Sequence, residues 1–405
     1  MRLILLALRN AGRNRRRSAT VLSLIALGSA ALLLAGGYAA ATFQGLRENT
    51  IRNGVGHLQI TGIAGEQDDA PLAAGLDRVD DLRRVVDGDP RVRATAARVD
   101  FTGLASTGDR SVAVMGRGIE PDQEYGRAGF APRMVEGRPL TAGEPHEALV
   151  AARLARSLGV RAGDRLTLMT ATVDGAINGL DAVVVGIYTT GVRELDDRSV
   201  VVRLDTAQAL LATSRVSRLV VVLDRTGHTE DVRQALVTRL ASAGTPVQVQ
   251  TWSELAAFYH QVRGLFSGIF AFLGLIIAIV VLLSAANAMS MAVMERVREI
   301  GTLMAVGTTR LRIMAMFVVE GLVLGALGGL LGLALGYLLA RGLTAARIQM
   351  PPPPTFTTGF PLQIEVVPAL YAAVLAAMVV TLGVAALLPA ARAARLRITD
   401  ALAHV

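Results

Sequence analysis

The sequence predicts an α-helical membrane protein with four transmembrane helices and a large mixed α/β extracytoplasmic domain inserted between helices one and two. Two observations carry this class: four long stretches without a charged residue, and arginines gathered on one side of them. Ser18–Leu46 holds 29 residues, Gly264–Met294 31, Gly321–Ala340 20 and Val366–Ala391 26. A hydrocarbon core of roughly 30 Å takes about 20 helical residues, so each is long enough. The second exceeds the minimum and therefore tilts or projects. The third begins near Leu311 and carries Glu320 inside it. The composition agrees, with 52% hydrophobic and only 18% charged residues, high for a soluble chain.

The arginines set the orientation. Arg2, Arg9, Arg13, Arg15, Arg16 and Arg17 precede the first span with no acid among them. Together with the segments between spans two and three and after span four, they make 13 arginines against three acids. Gln44–Arg263 holds 26 arginines and 28 acids. The positive-inside rule places both termini and the second loop in the cytoplasm and the large domain outside. The expected order is a basic N-terminus (1–17), span one (18–43), the extracytoplasmic domain (44–263) and span two (264–294). A cytoplasmic segment (295–310), span three (311–340), an outer loop (341–365), span four (366–391) and a cytoplasmic tail (392–405) follow. A basic start and Ala39-Ala40-Ala41 also fit a cleavable signal peptide. The long apolar run and three further spans favour retention, because an even number returns the tail to the arginine-rich side.

Composition excludes several chemistries. The net charge of +8 resides in membrane-flanking segments rather than in a basic stripe interleaved with aromatics, so no nucleic-acid partner is expected. There is no cysteine, hence no disulfide, thiolate or Cys–zinc site. All 41 basic residues are arginine. A phosphate-binding loop G-x-x-x-x-G-K-[ST] needs a lysine on the β/γ-phosphates, so this chain cannot build one. If ATP drives the protein, another polypeptide binds it.

Within the large domain, Leu76–Val86 has helical periodicity. Strand patterns follow at Val92–Ala105 and Ser111–Ile119, with Thr107-Gly108-Asp109 turning between them. Pro121–Arg138 is turn-rich, and Glu147–Leu158 runs from strand to helix. Leu166–Thr172, Ala182–Tyr188, Ser199–Leu204, Arg218–Leu223 and Val247–Gln250 read as strands, Asp205–Leu211 and Thr229–Ala241 as helices. Two helix-then-strand segments, Leu76–Ala105 and Thr229–Gln250, suggest pseudo-repeats around a β-rich insertion. Pro351–Pro354 reads as a stiff polyproline spacer.

No catalytic constellation is present. His146-Glu147 opens an H-E-x-x-H pattern, but position 150 is valine; no metal site is expected. Glu320 is an acid in an apolar span, which is costly and usually faces protein or water. It fits a proton relay or substrate contact, and better an ion pair or hydrogen bond to a neighbouring helix. Gly321, Gly325, Gly328, Gly329, Gly332 and Gly336 overlap in G-x-x-x-G spacings that let helix backbones approach, within the chain or between subunits. In Glu295–Thr309, apolar Val297, Ile300, Leu303, Met304 and Val306 alternate with Glu295, Arg296, Arg298 and Glu299. This periodicity fits a helix on the membrane surface and equally a docking helix for a cytoplasmic partner.

Four regions carry a resemblance: RNRRRSATVLSLIALGSAALLLAGG; EGRPL with ALVAARLARSLGVRAGDRLTL and VVVGIYTTGVRELDDRSVVVRLDTAQALL; ERVREIGTLMAVGTTRLRIMAMFVVEGLVLGALGGLLGLALG; and LLPAARAARLRITDAL. In this order they resemble an FtsX-like permease of the MacB and lipoprotein-releasing (LolC/LolE-type) ABC transporter superfamily. The resemblance implies a dimer of permease subunits, homo- or heteromeric, on a separate ATPase that binds ATP and Mg. It implies a coupling segment at Glu295, Arg296, Arg298, Glu299, Ile300, Gly301, Leu303, Met304 and Gly307, and action by mechanotransmission in the bacterial plasma (inner) membrane. Expected partners are membrane lipid and a periplasmic carrier or adaptor. FQGLRENT and TTGVRELDD point toward the lipoprotein-releasing branch, hence toward export or extraction of lipidated or hydrophobic cargo. The alternative is a regulatory module acting on an outer cell-wall hydrolase. Ile398-Thr399-Asp400 departs from the family tail, which has proline there.

Overall fold

The computed structural model describes residues 15–63, 72, 75–143, 146–351 and 360–395. The expectations for the first arginines, Pro352–Pro354 and Ile398–Asp400 lie outside them. The chain divides into a helical unit and a mixed α/β unit, the latter formed mainly by Gly45–His260. Helix α1 (Arg15–Thr50) is unbroken and ends in one wide turn, Ile51–Val55.

In the α/β unit, β1 (Leu58–Gly62), α2 (Val79–Asp87) and β2 (Val92–Ser106) form one strand–helix–strand element. A second comprises β9 (Arg218–Leu223), α5 (Thr229–Ser242) and β10 (Val247–Thr251). Their strands interleave as β10-β1-β9-β2, all antiparallel, the ferredoxin-like arrangement. The two helix-then-strand segments are thus the corresponding parts of two interlocked elements. Leu58, Ile60, Val99, Leu219 and Val221 form the core with Val86, Val232, Leu236 and Leu240 of the two helices. Each such side chain contributes about 1.5–3 kcal/mol by leaving water.

The chain between these elements supplies β3 (Ser111–Ile119), β4 (Arg133–Gly137), β5 (Glu147–Ala151), α3 (Ala152–Leu158), β6 (Arg165–Ala171), β7 (Ile177–Thr189), β8 (Ser199–Arg203) and α4 (Leu204–Leu211). Pairings run β2–β3, β3–β8, β8–β5, β5–β7, β7–β6 and β6–β2, so six strands close into a ring. The 15-residue β2 belongs to both halves and staples them together. Closure requires Gly103: a Cβ there would lie 2.2 Å from the Met169 carbonyl oxygen of β6.

Several sequence expectations shift. The helix expected from Leu76 starts at Val79, because Arg78 sits in the left-handed region (φ 49°) and Leu76 instead bridges to Val216. Strand β7 begins at Ile177, five residues before its continuous apolar run, where it pairs as a hairpin with β6 and alternates in exposure. Strand β4 lies inside the segment expected to be turns, and β1 had no place among the expected strands.

The helical unit contains α1 up to Gln44, α6 (Ala257–Glu295), α7 (Val297–Ala305), α8 (Arg310–Ala345) and α9 (Pro368–Ala394). Among the described residues, α1, α6, α8 and α9 are long and apolar enough to cross a membrane. Helices α1 and α6 pack through Gly28 against Ile277 and through the edge-on rings of Phe43 and Phe266.

His57, buried beside β9, accepts a hydrogen bond at Nδ1 from the Leu223 N–H (3.1 Å), so the neutral ring carries its proton at Nε2, 3.3 Å from Thr226 Oγ1. Burial lowers its pKa, against the pull of Glu48 and Asp224 and with help from Arg47. The unfolded chain therefore binds the extra proton first, and stability falls as pH drops below about 6.5, the ordinary histidine value. The single tryptophan, Trp252, is buried in the α/β unit and reports on it alone. Thermal unfolding of the full chain followed by Trp252 fluorescence is expected to shift downward between pH 7.5 and 5.5. His57→Gln should flatten that dependence.

Candidate functional site

Helix α8 carries a ridge of glycines on two of its sides. Gly321, Gly325 and Gly329 face α9: a Cβ at Gly321 would lie 2.8 Å from the Leu382 carbonyl, and one at Gly325 3.0 Å from Val379 Cα. Gly328, Gly332 and Gly336 face α1, where a Cβ at Gly332 would lie 2.4 Å from Ser29 Cβ and one at Gly328 2.9 Å from Ile25 Cβ. All six are buried. Both halves of the ridge are thus used within the chain, in close packing against backbone at Gly321, Gly325, Gly332 and Gly336 and against side chains at Gly328 and Gly329.

The segment between α6 and α8 is a short helix between two sharp ends. Arg296 separates α6 from α7 with φ −115° and ψ 16°. After α7, Gly307 adopts φ +91° and its N–H bonds to the Met304 carbonyl, closing the helix before α8 starts. The inner side of α7 joins Ile300 and Met304 to Val293, Ile313, Phe317, Ala390 and Ala393, which fastens the segment to the ends of α6, α8 and α9. Val297 and Gly301 are also buried. Glu295, Arg298, Glu299, Leu303 and Gly307 are exposed, as are Val306 (87%) and Leu311 (76%). Such bare apolar side chains between charges are what a docking surface presents.

Arg296 and Glu320 meet. Arg296 Nη1 donates to Glu320 Oε2 at 3.3 Å, with both side chains buried. Two residues singled out separately, one for the coupling segment and one as an intramembrane acid, therefore form one ion pair. Arg296 points into the helical unit. Glu320 directly precedes Gly321, so the pair sits at the lower end of the glycine ridge. Sequence reasoning could flag each charge but not the pairing, since 24 residues separate them. It also missed the receiving surfaces, Ser29 on α1 and Leu382 and Ala386 on α9, ordinary small or apolar residues. In the α/β unit, Glu147 of the incomplete H-E-x-x-H pattern is ion-paired with Arg138.

Removing one member of a buried pair strands the other charge at a cost of about 3–5 kcal/mol, while replacing both with apolar residues is near neutral. Glu320→Ala is expected to destabilise the helical unit by that order, and Arg296→Met with Glu320→Leu to restore most of it. Denaturant unfolding in detergent, followed by far-ultraviolet ellipticity, measures both. On the ridge, Gly332→Ile should cost about 1–3 kcal/mol by overpacking against α1. The same change at Gly342, which has open space around it, should be far milder.

Residues 269–398 match the FtsX-like permease C-terminal family. The chain is 27% identical over 335 residues to the lipoprotein-releasing system transmembrane protein LolC of Xylella fastidiosa, covering 78% of this chain and 79% of that protein. It is 31% identical over 166 residues to the macrolide export ATP-binding/permease protein MacB of Hyphomonas neptunium, covering 39% of this chain and 26% of the other. The extracellular domain of the transporter YknZ overlays 48% of this chain and 99% of that domain, at 14% identity and a TM-score of 0.36. Residues 269–398 thus carry an FtsX-like permease domain, and the chain is similar to LolC along most of its length and to MacB over part of it.

Proposed function

We propose that this chain is the non-catalytic membrane subunit of an ABC transporter that turns ATP hydrolysis on a separate ATPase into movement of its α/β unit. The observation that carries the reading is the Arg296–Glu320 pair at the base of the glycine ridge. A push on α7 is delivered through a buried ion pair and an apolar cluster to α8. Close packing at Gly328, Gly332 and Gly336 passes it to α1. Helix α1 continues without a break to Thr50, inside the α/β unit. Close packing of this kind has little slack, so displacement at one end is transmitted rather than absorbed.

In this reading the exposed Arg298, Glu299, Leu303 and Val306 meet the ATPase, which holds ATP and Mg. The arginine asymmetry favours both termini and α7 in the cytoplasm and the α/β unit outside the plasma (inner) membrane. Helix α6 leaves Phe272, Leu275 and Leu283 exposed, a surface suited to lipid or a second permease subunit. The similarity to LolC along most of the chain favours export or membrane extraction of lipoprotein or other hydrophobic cargo. A periplasmic carrier or adaptor would receive it.

Co-purification with ATPases encoded nearby, followed by assay of ATP hydrolysis in nanodiscs, tests the reading. Arg298→Ala with Glu299→Ala is expected to reduce permease-dependent stimulation about fivefold or more, with Trp252 fluorescence unchanged. If no ATPase associates, or if stimulation survives both changes, the coupling role is wrong.

A further inference from the structure

The α/β unit contains a cleft of about 1060 Å³, at the top of the range usual for a bound small molecule. Its walls come from β2, β3, β7 and β8, from the last turn of α1, and from the loops around Phe130 and Thr190. One part of the lining is apolar: Phe101, Met115, Ile119, Tyr125 and Tyr188. Met115 stands 51% exposed there, as does Leu195 at 41%, unusual for such residues unless something covers them.

The other part is charged and cationic in balance. Asp100 accepts from Arg117 Nε at 3.0 Å and is ion-paired with Arg218. Burial opposes its ionisation, but Arg117 and Arg218 outweigh this and hold its pKa below the ordinary carboxylate value. Glu124 is neutralised by the fully buried Arg98, whose guanidinium also lies 5.1 Å from the Phe130 ring centre. With both acids engaged, Arg218 keeps an Nε–H that is buried without a hydrogen-bond partner, and Arg133 stands exposed at the rim. Four arginines (52, 117, 133 and 218) line the cleft against these two acids.

We infer that this cleft binds an anionic amphiphile, an apolar chain on the aromatic and methionine wall with its acidic group toward Arg133 and Arg218. The inference deepens the export reading by naming a ligand class for the α/β unit. Its test measures binding without any ATPase, so the two can fail separately. The site also connects to α1. Arg98, behind Glu124, donates to the carbonyl of Gly54 in the turn that continues the helix, and Arg218 Nη1 donates to Gln59, which in turn donates to the Val55 carbonyl.

The test is photolabelling of the full chain, in phosphatidylcholine nanodiscs, with a diazirine-bearing palmitate, mapped by mass spectrometry. Labels are expected on peptides holding Met115 and Phe101, competed by palmitate and not by hexadecanol. Met115→Glu and Arg133→Glu should each reduce that labelling several-fold, with Trp252 fluorescence and ellipticity unchanged. Including phosphatidylglycerol in the discs separates two sources of the same chemistry. Loss of labelling there assigns the site to membrane phospholipid; persistence assigns it to a single-chain acid. Labelling confined to the membrane helices, or equal competition by hexadecanol, or indifference to both substitutions, would overturn the proposal.

Discussion

Helix α8 touches two neighbours at backbone distance, and that contact organises the helical unit. Apolar side chains gain nothing by leaving lipid for one another, so association inside a bilayer must come from close packing and satisfied polar groups. The glycine ridge supplies the first, toward α9 through Gly321, Gly325 and Gly329 and toward α1 through Gly328, Gly332 and Gly336. Arg296 and Glu320 supply the second, with a charge from the turn before α7 neutralising an acid that would be expensive in hydrocarbon alone. Because the pair adjoins the ridge, α7 and the long apolar helices are joined at one place in the helical unit.

The α/β unit meets a different constraint. It has no disulfide and rests on its apolar core. Two interlocked strand–helix–strand elements provide that core, and the inserted strands close a ring that shares β2 with them. Ring closure removes sheet edges that would otherwise invite pairing with other chains. It also shapes the cleft, whose arginines replace the lysines this chain lacks. A guanidinium can serve two partners in fixed directions, as Arg98 does with Glu124 and the Gly54 carbonyl, and Arg218 with Asp100 and Gln59.

Much of this was legible in the residues. Apolar runs marked the four long helices, and strand-like runs located Ser111–Ile119 and Arg218–Leu223 with the bounds they have in the structure. Strand β1 escaped because LQITG is short, with two polar residues and a glycine diluting its apolar signal. The start of β7 escaped because INGLD is poor in strand-forming residues and is held only by its hairpin partner. At the site, residue types were informative and partnerships were not. The glycine spacing announced close packing without saying against what, and the periodicity of Glu295–Thr309 did not reveal that Arg296 turns toward Glu320.

The central claim is that α7, α8 and α1 move together. The natural absence of cysteine makes a direct measurement possible. Spin labels on cysteines placed at the exposed Val306, the residue that caps α7, and at Leu27 of α1 would report their separation by electron–electron double resonance. The permease, assembled with its ATPase, would be compared without nucleotide and with trapped ATP. The account predicts one narrow distance that does not change with nucleotide, and a broadened, nucleotide-dependent one when Glu320 is replaced by Ala. A Val306–Leu27 distance that shifts with nucleotide in the native background would contradict it.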